Sequence, residues 1–212
     1  NGVLVYNKNG DVMPNGEGLK GHYSSTQSAL VIKRPKSKDL YHIFTTDKGP
    51  YEGDSPHELC MSVVDMSMEN GLGDVIYKNY AIYSPVIEKL TAIQHANGED
   101  FWILARGMND NKFVISLLTD GGLVSTKTME FGPTYFPYPA SPEFSLGQLK
   151  ANPKGDMLAT VVYGANNIEL YKFDNLKGEI LSYQGIPVNE TVTALYGLEF
   201  ASNNKYLYVN NL

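Results

Sequence analysis

Leu90-Thr91-Ala92-Ile93-Gln94, the turn Asn97-Gly98-Glu99-Asp100, Phe101-Trp102-Ile103-Leu104-Ala105, the turn Asn109-Asp110-Asn111, and Phe113-Val114-Ile115-Ser116-Leu117-Leu118 read as three β-strands joined by two tight turns. Each run is short and rich in β-branched or aromatic residues. None extends into the i, i+3, i+4, i+7 pattern of an amphipathic helix. The polar Asn, Gly and Asp clusters between them are turn chemistry. The same alternation continues in both directions. Val3–Tyr6, Ala29–Ile32, Leu40–Thr45, Leu59–Val64 and Val75–Tyr83 precede this stretch. Ser125–Phe131, Leu146–Lys150, Met157–Tyr163, Ile168–Phe173, Ile180–Tyr183, Leu195–Phe200 and Tyr206–Asn210 follow it.

Spacing separates a sandwich from a repeat architecture. Leu40, Phe101, Met157 and Tyr206 each open a strand after a similar polar turn. Asn7, Asp65, Asp120 and Asp174 mark a second series, each followed by a glycine turn. Both series recur at about 55 residues, the length of four short strands with their turns, which is one propeller blade. The expectation is an all-β fold, a β-propeller of four-stranded antiparallel blades. Full blades are expected over roughly 28–83, 89–131 and 146–184, with partial blades at 1–13 and 194–212. Val3–Tyr6 falls at an outer-strand phase and Tyr206–Asn210 at a second-strand phase. The chain is therefore expected to be a fragment of a larger propeller, with a four-bladed ring closed by Val3–Asn7 as the alternative.

Composition narrows the function. The 212 residues carry 17 Lys+Arg against 23 Asp+Glu, a net charge of −6, which argues against a nucleic-acid partner that needs a basic face. Fifteen Tyr and eight Phe argue against disorder. No apolar run is long enough to form a transmembrane segment. Cys60 is the single cysteine, which excludes an internal disulfide and a multi-cysteine zinc site, and it reads as a small buried residue.

The stretches Ser24–Ile32, Val63–Val75, Glu88–Gly98 and Tyr196–Phe200 followed by Leu207-Tyr208-Val209 resemble the β-propeller region of large surface proteins of Bacteroidetes. Those proteins end in gliding-motility or type IX secretion sorting domains. The resemblance implies a secreted or surface-anchored propeller with further blades on both sides, and it brings no catalytic residues.

Motifs with chemical meaning are few. Gly16-Glu17-Gly18-Leu19-Lys20-Gly21 matches G-x-G-x-x-G, but a polar run and a strand follow where a dinucleotide site needs a helix. His22, His42, His57 and His95 lie far apart, without a zincin or nucleophile-elbow spacing. His95, before its turn, is expected to bond a backbone group. Asp47, Glu52, Asp54 and Glu58 lack the order of a calcium loop and read as a solvated acidic loop. Neither a metal nor a cofactor is expected. Asn189-Glu190-Thr191 matches a glycosylation sequon, which a bacterial source would make a chance match.

Two functional readings follow. The first is a non-catalytic binding or scaffold module of a secreted or cell-surface bacterial protein, adhesion-related, with a protein or glycan partner. The alternative is a lactonase-like propeller hydrolase with its site in the central channel. For the first reading, the long loops are informative. Asp47–Glu58, Met13–Ser25 and Pro133–Ser145 all fall on the face opposite the tight turns, and long loops on a rigid scaffold carry recognition. Tyr51, Asp54, Tyr135, Phe136 and Tyr138 are the expected contributors to a common ligand- or partner-binding surface.

Overall fold

The computed structural model describes residues 2–48, 56–137, 140–165, 167–189 and 194–211. Strands β1 (Ala29–Lys33), β2 (Leu40–Thr46), β3 (Leu59–Asp65) and β4 (Asp74–Tyr83) form an antiparallel sheet in chain order. A second such sheet comprises β5 (Val86–Gln94), β6 (Phe101–Gly107), β7 (Lys112–Thr119) and β8 (Gly122–Glu130). The third comprises β9 (Leu149–Ala151), β10 (Met157–Val162), β11 (Asn167–Asp174) and β12 (Glu179–Pro187). Last, β13 (Leu195–Phe200) pairs with β14 (Leu207–Asn211). Helix among the described residues is confined to two 3₁₀ turns, Glu69–Gly71 and Pro142–Ser145.

The sheets stack face to face, which explains why β6 reads as an uninterrupted apolar run. A strand covered on both faces has no solvent side to keep polar. Ile103 and Ala105 pack with Val114 and Leu118 against Phe44, Leu59 and Met61 of the first sheet. Trp102 and Leu104 pack with Phe113 and Ile115 against Leu158, Tyr171 and Phe173 of the third. Within that third sheet, β10 repeats the arrangement. Leu158 faces backward, whereas Ala159 and Val161 meet Leu195, Leu198 and Phe200.

The turns lock this stack. Asn97 Oδ1 accepts from the amides of Glu99 and Asp100, and His95 Nδ1 accepts from Asn97 N at 3.0 Å. Asn152 does the same for Asp156 and Met157 in the third sheet. Asx side chains that capture their own backbone fix a tight turn without a ladder. Asn175 O then receives both Ala96 N and Trp102 Nε1, tying the third sheet's outer turn to the second sheet's inner one.

Two expected strands differ. Val3–Tyr6 does not continue as a strand and has only the single bridge Tyr6–Val12. Its backbone pairs locally instead: Val5 N donates to Gly16 O and Leu19 N to Val3 O. Met13 and Leu19 cover Ile43, Val64 and Val75 on the first sheet's open face, so burial of that face wins over ladder formation. The glycine motif Gly16–Gly21 belongs to this packing, since Gly21 N donates to Gly2 O. Leu146–Lys150 is shortened because Gly147 adopts φ +97°, which β-strand geometry does not allow.

Candidate functional site

In each four-stranded sheet the first strand lies innermost, and successive inner strands β1, β5, β9 and β13 are stitched by glutamines. Gln27, just before β1, accepts at Oε1 from Leu90 N and Leu149 N, and donates from Nε2 to Leu149 O. Gln148, just before β9, accepts at Oε1 from Leu198 N at 3.0 Å. Neighbouring blades do not pair by ladders, so these amides satisfy the backbone groups that the inner edges leave open.

A cavity of about 550 Å³ lies against these strands, lined by Tyr23, Thr26, Gln27, Thr91, Gln148 and Lys150 among others. A second hollow of about 350 Å³ shares Gln148 and Lys150 with it and reaches Glu199, Tyr208 and Asn210. At their junction Lys150 Nζ meets Glu199 Oε2 at 3.0 Å. In β9, Leu149 is fully buried while the next residue, Lys150, points to the opposite side, as strand alternation requires. Hydroxyl and amide groups around a cation–carboxylate pair suit a small polyhydroxylated ligand.

The ground beneath this cavity is a buried polar network. Strand β5 bulges, with Val86 opposite Gly107 and Leu90 opposite Ala105, so two extra residues are inserted between them. Glu88 on the bulge accepts from Thr26 N and Thr26 Oγ1, holding a cavity residue in place. Lys89 is fully buried and donates to the carbonyls of Leu146, Gly147 and Val161 at 2.6–2.9 Å. Burial pushes its ammonium down to about 7, opposed by the charge of Glu169. Glu169 Oε1 accepts from Tyr135 Oη at 2.8 Å and Oε2 from Tyr171 Oη at 2.7 Å. Burial, reinforced by that carboxylate, raises both phenols. Arg106 donates to Phe131 O and Pro133 O and lies 4.5 Å over the Phe113 ring.

The expected recognition residues fare differently. Tyr51, Asp54 and Tyr138 lie outside the described residues. Tyr135 turns inward to Glu169 and packs on Phe144 at 5.5 Å, which removes its hydroxyl from a docking surface. Phe136 is exposed. Around these segments, Val86 N donates to His57 O, Met108 N to Pro85 O, and Asn111 Nδ2 to Gly132 O. Cys60 is buried, and burial pushes its thiol up to about 12, as a packing residue requires. Among the described residues, no three His, Cys, Asp or Glu side chains gather as a metal-holding group. Reading the sequence alone missed Lys150 and Glu199. The signal that marks Lys150 is a charge set between apolar neighbours in an inner strand.

No protein-family profile matches the chain, and no curated protein matches it in sequence. Solved structures do. A candidate 6-phosphogluconolactonase from Bacteroides uniformis matches with a TM-score of 0.57 at 15% identity, over 98% of this chain and 56% of that one. The periplasmic gluconolactonase PpgL of Pseudomonas aeruginosa matches with a TM-score of 0.53 at 12% identity, over 90% of this chain and 50% of that one. The fold is a β-propeller. The chain spans about half the length of these two structures. They correct the expectation of a non-catalytic binding or scaffold module: the propellers it resembles are described as lactonases, and neither is described as adhesive or surface-anchored. Among the described residues, no helix is long and apolar enough to cross a membrane.

Proposed function

We propose that this propeller belongs to a hydrolase of sugar-derived lactones, with its substrate held against the inner strands β1, β5 and β9. The observation that carries this reading is the Lys150–Glu199 pair at the junction of two hydroxyl- and amide-lined hollows. Its setting is a fold whose solved counterparts are described as lactonases. Hydrolysis adds water to the lactone carbonyl carbon, breaks the ring C–O bond and leaves a hydroxy acid with its proton. The Glu199 carboxylate takes the proton of the attacking water and returns one to the departing ring oxygen. General-base assistance of this kind contributes about 10²–10⁴-fold. The Lys150 ammonium offsets the charge developing on the carbonyl oxygen. Gln148 and Thr91 offer amide and hydroxyl partners to the sugar hydroxyls. The periplasmic location of the Pseudomonas protein and the resemblance to secreted propellers support action outside the cytoplasm.

Proton release from D-glucono-1,5-lactone and from its 6-phosphate, followed by pH-stat against the uncatalysed rate, tests the proposal. Wild-type protein is expected to accelerate one of them. Glu199→Gln should lower kcat about 10²-fold with little change in KM. Because both side chains are partly solvated, Lys150→Ala should cost about 10-fold. Absence of acceleration with either lactone overturns the lactonase reading, and full activity in Glu199→Gln overturns the role given to that carboxylate.

A further inference from the structure

A third hollow, remote in sequence from the Lys150–Glu199 pair, lies between the first and second sheets. It has a volume of about 530 Å³ and is lined by Arg34, His42, Tyr77, Tyr80 and the start of β8 from Gly122 to Thr126. We propose that this groove binds an acidic pyranose, a uronic acid unit, with its carboxylate on Arg34 and its C–H face on Tyr77 and Tyr80.

The construction of β4 is the first argument. Tyr77 and Tyr80 are three residues apart and would point to opposite faces of a regular strand. Asn79 adopts φ +60° and inserts a bulge, so that Met61 pairs with Tyr80 and Val63 with Tyr77. Asn79 is held there on every side: its amide donates to Ser62 Oγ, its Nδ2 donates to Gly18 O, and its Oδ1 accepts from Lys20 N. A left-handed non-glycine residue fixed this firmly is a built feature. Its result is two tyrosine rings on one side, 6.2 Å apart and tilted at 41°, each about half exposed. An open tilted platform offers ring faces to the C–H surface of a sugar, while the phenol hydroxyls stay wet.

Charge is the second argument. Arg34 Nε donates to Asp120 O at 2.8 Å, which anchors the guanidinium across the two sheets. Among the described residues no carboxylate pairs with it, so its fork is available to an oxyanion. His42 lines the same groove at 3% exposure; its Nδ1 lies 3.2 Å from Met61 Sδ, and its Nε2 has no hydrogen-bond partner. Burial holds this imidazole neutral, its pKa down to about 4. Carboxylate for guanidinium and C–H face for tyrosine together specify a sugar acid over a neutral sugar.

This inference does not depend on the lactonase reading. Titration calorimetry with methyl β-D-glucuronide, against methyl β-D-glucoside, tests it. The glucuronide should bind at least 10-fold more tightly than the glucoside. Arg34→Gln should erase that preference, and Tyr77→Ala with Tyr80→Ala should weaken both sugars by at least 10-fold. These side chains are solvent-facing, so thermal melting of the variants should stay within a few degrees of wild type. Glu199→Gln should leave the binding intact. Equal binding of the two sugars, binding indifferent to Arg34→Gln, or absence of binding overturns the proposal; so does binding lost in Glu199→Gln, which would place the sugar at the inner strands.

Discussion

Replacing Glu169 by leucine is expected to destabilise the protein by about 3–5 kcal/mol, read as a lowered urea midpoint with an unchanged m-value. Glu169 is fully buried, and it accepts one phenol on each carboxylate oxygen. Leucine strands the hydroxyls of Tyr135 and Tyr171 and removes the charge that opposes the desolvation of Lys89. Unsatisfied buried groups cost about 1–3 kcal/mol each, and an uncompensated charge costs more. Glu169→Gln keeps the shape and one acceptor oxygen, so it should cost less than the leucine variant. Equal stability of wild type and Glu169→Leu would show that the network does not hold the second and third sheets together.

Lys89→Met is the second large effect, again about 3–5 kcal/mol at neutral pH, because three carbonyls of the third sheet lose their donor. This position also carries a pH signature. The ammonium lies near 7 in the folded protein against an ordinary 10.5. Between those values the unfolded chain binds the proton that the folded protein has released. Stability therefore rises with pH wherever the unfolded state holds more protons. The contribution of Lys89 should grow from about pH 7 toward pH 10, and the Lys89→Met variant should lack that slope. A wild-type curve parallel to that of the variant across this range would contradict the buried-lysine account.

Much of the fold is legible in the sequence because the central strands are covered on both faces. Phe101–Ala105 is continuous and apolar, and it is sandwiched between two neighbouring sheets. The Asn and Asp turns repeat because each captures its own backbone, and His95 bonds Asn97 N as its place before the turn requires. Val3–Tyr6 looked like these strands yet became a covering segment. Its apolar residues had the open face of the first sheet to fill, a demand that only the assembled sheets reveal.

The site was less legible for geometric reasons. Lys150 and Glu199 stand 49 residues apart on strands of different sheets, and only stacking of the inner strands joins them. In β4 the alternation rule places Tyr77 and Tyr80 on opposite faces, and the Asn79 bulge reverses that locally. Tyr135, expected at a recognition surface, turns its hydroxyl inward. Its buried partner, Glu169, lies 34 residues on in another loop-flanked strand.

A crystal structure grown with gluconate, the product of gluconolactone hydrolysis, tests the central claim most directly. The account predicts the sugar acid against the inner strands, its carboxylate on Lys150 and its hydroxyls within hydrogen-bond reach of Gln148 and Thr91. Gluconate bound elsewhere, with the cavity between β1, β5 and β9 left free of it, would contradict a lactonase site at the centre of this propeller.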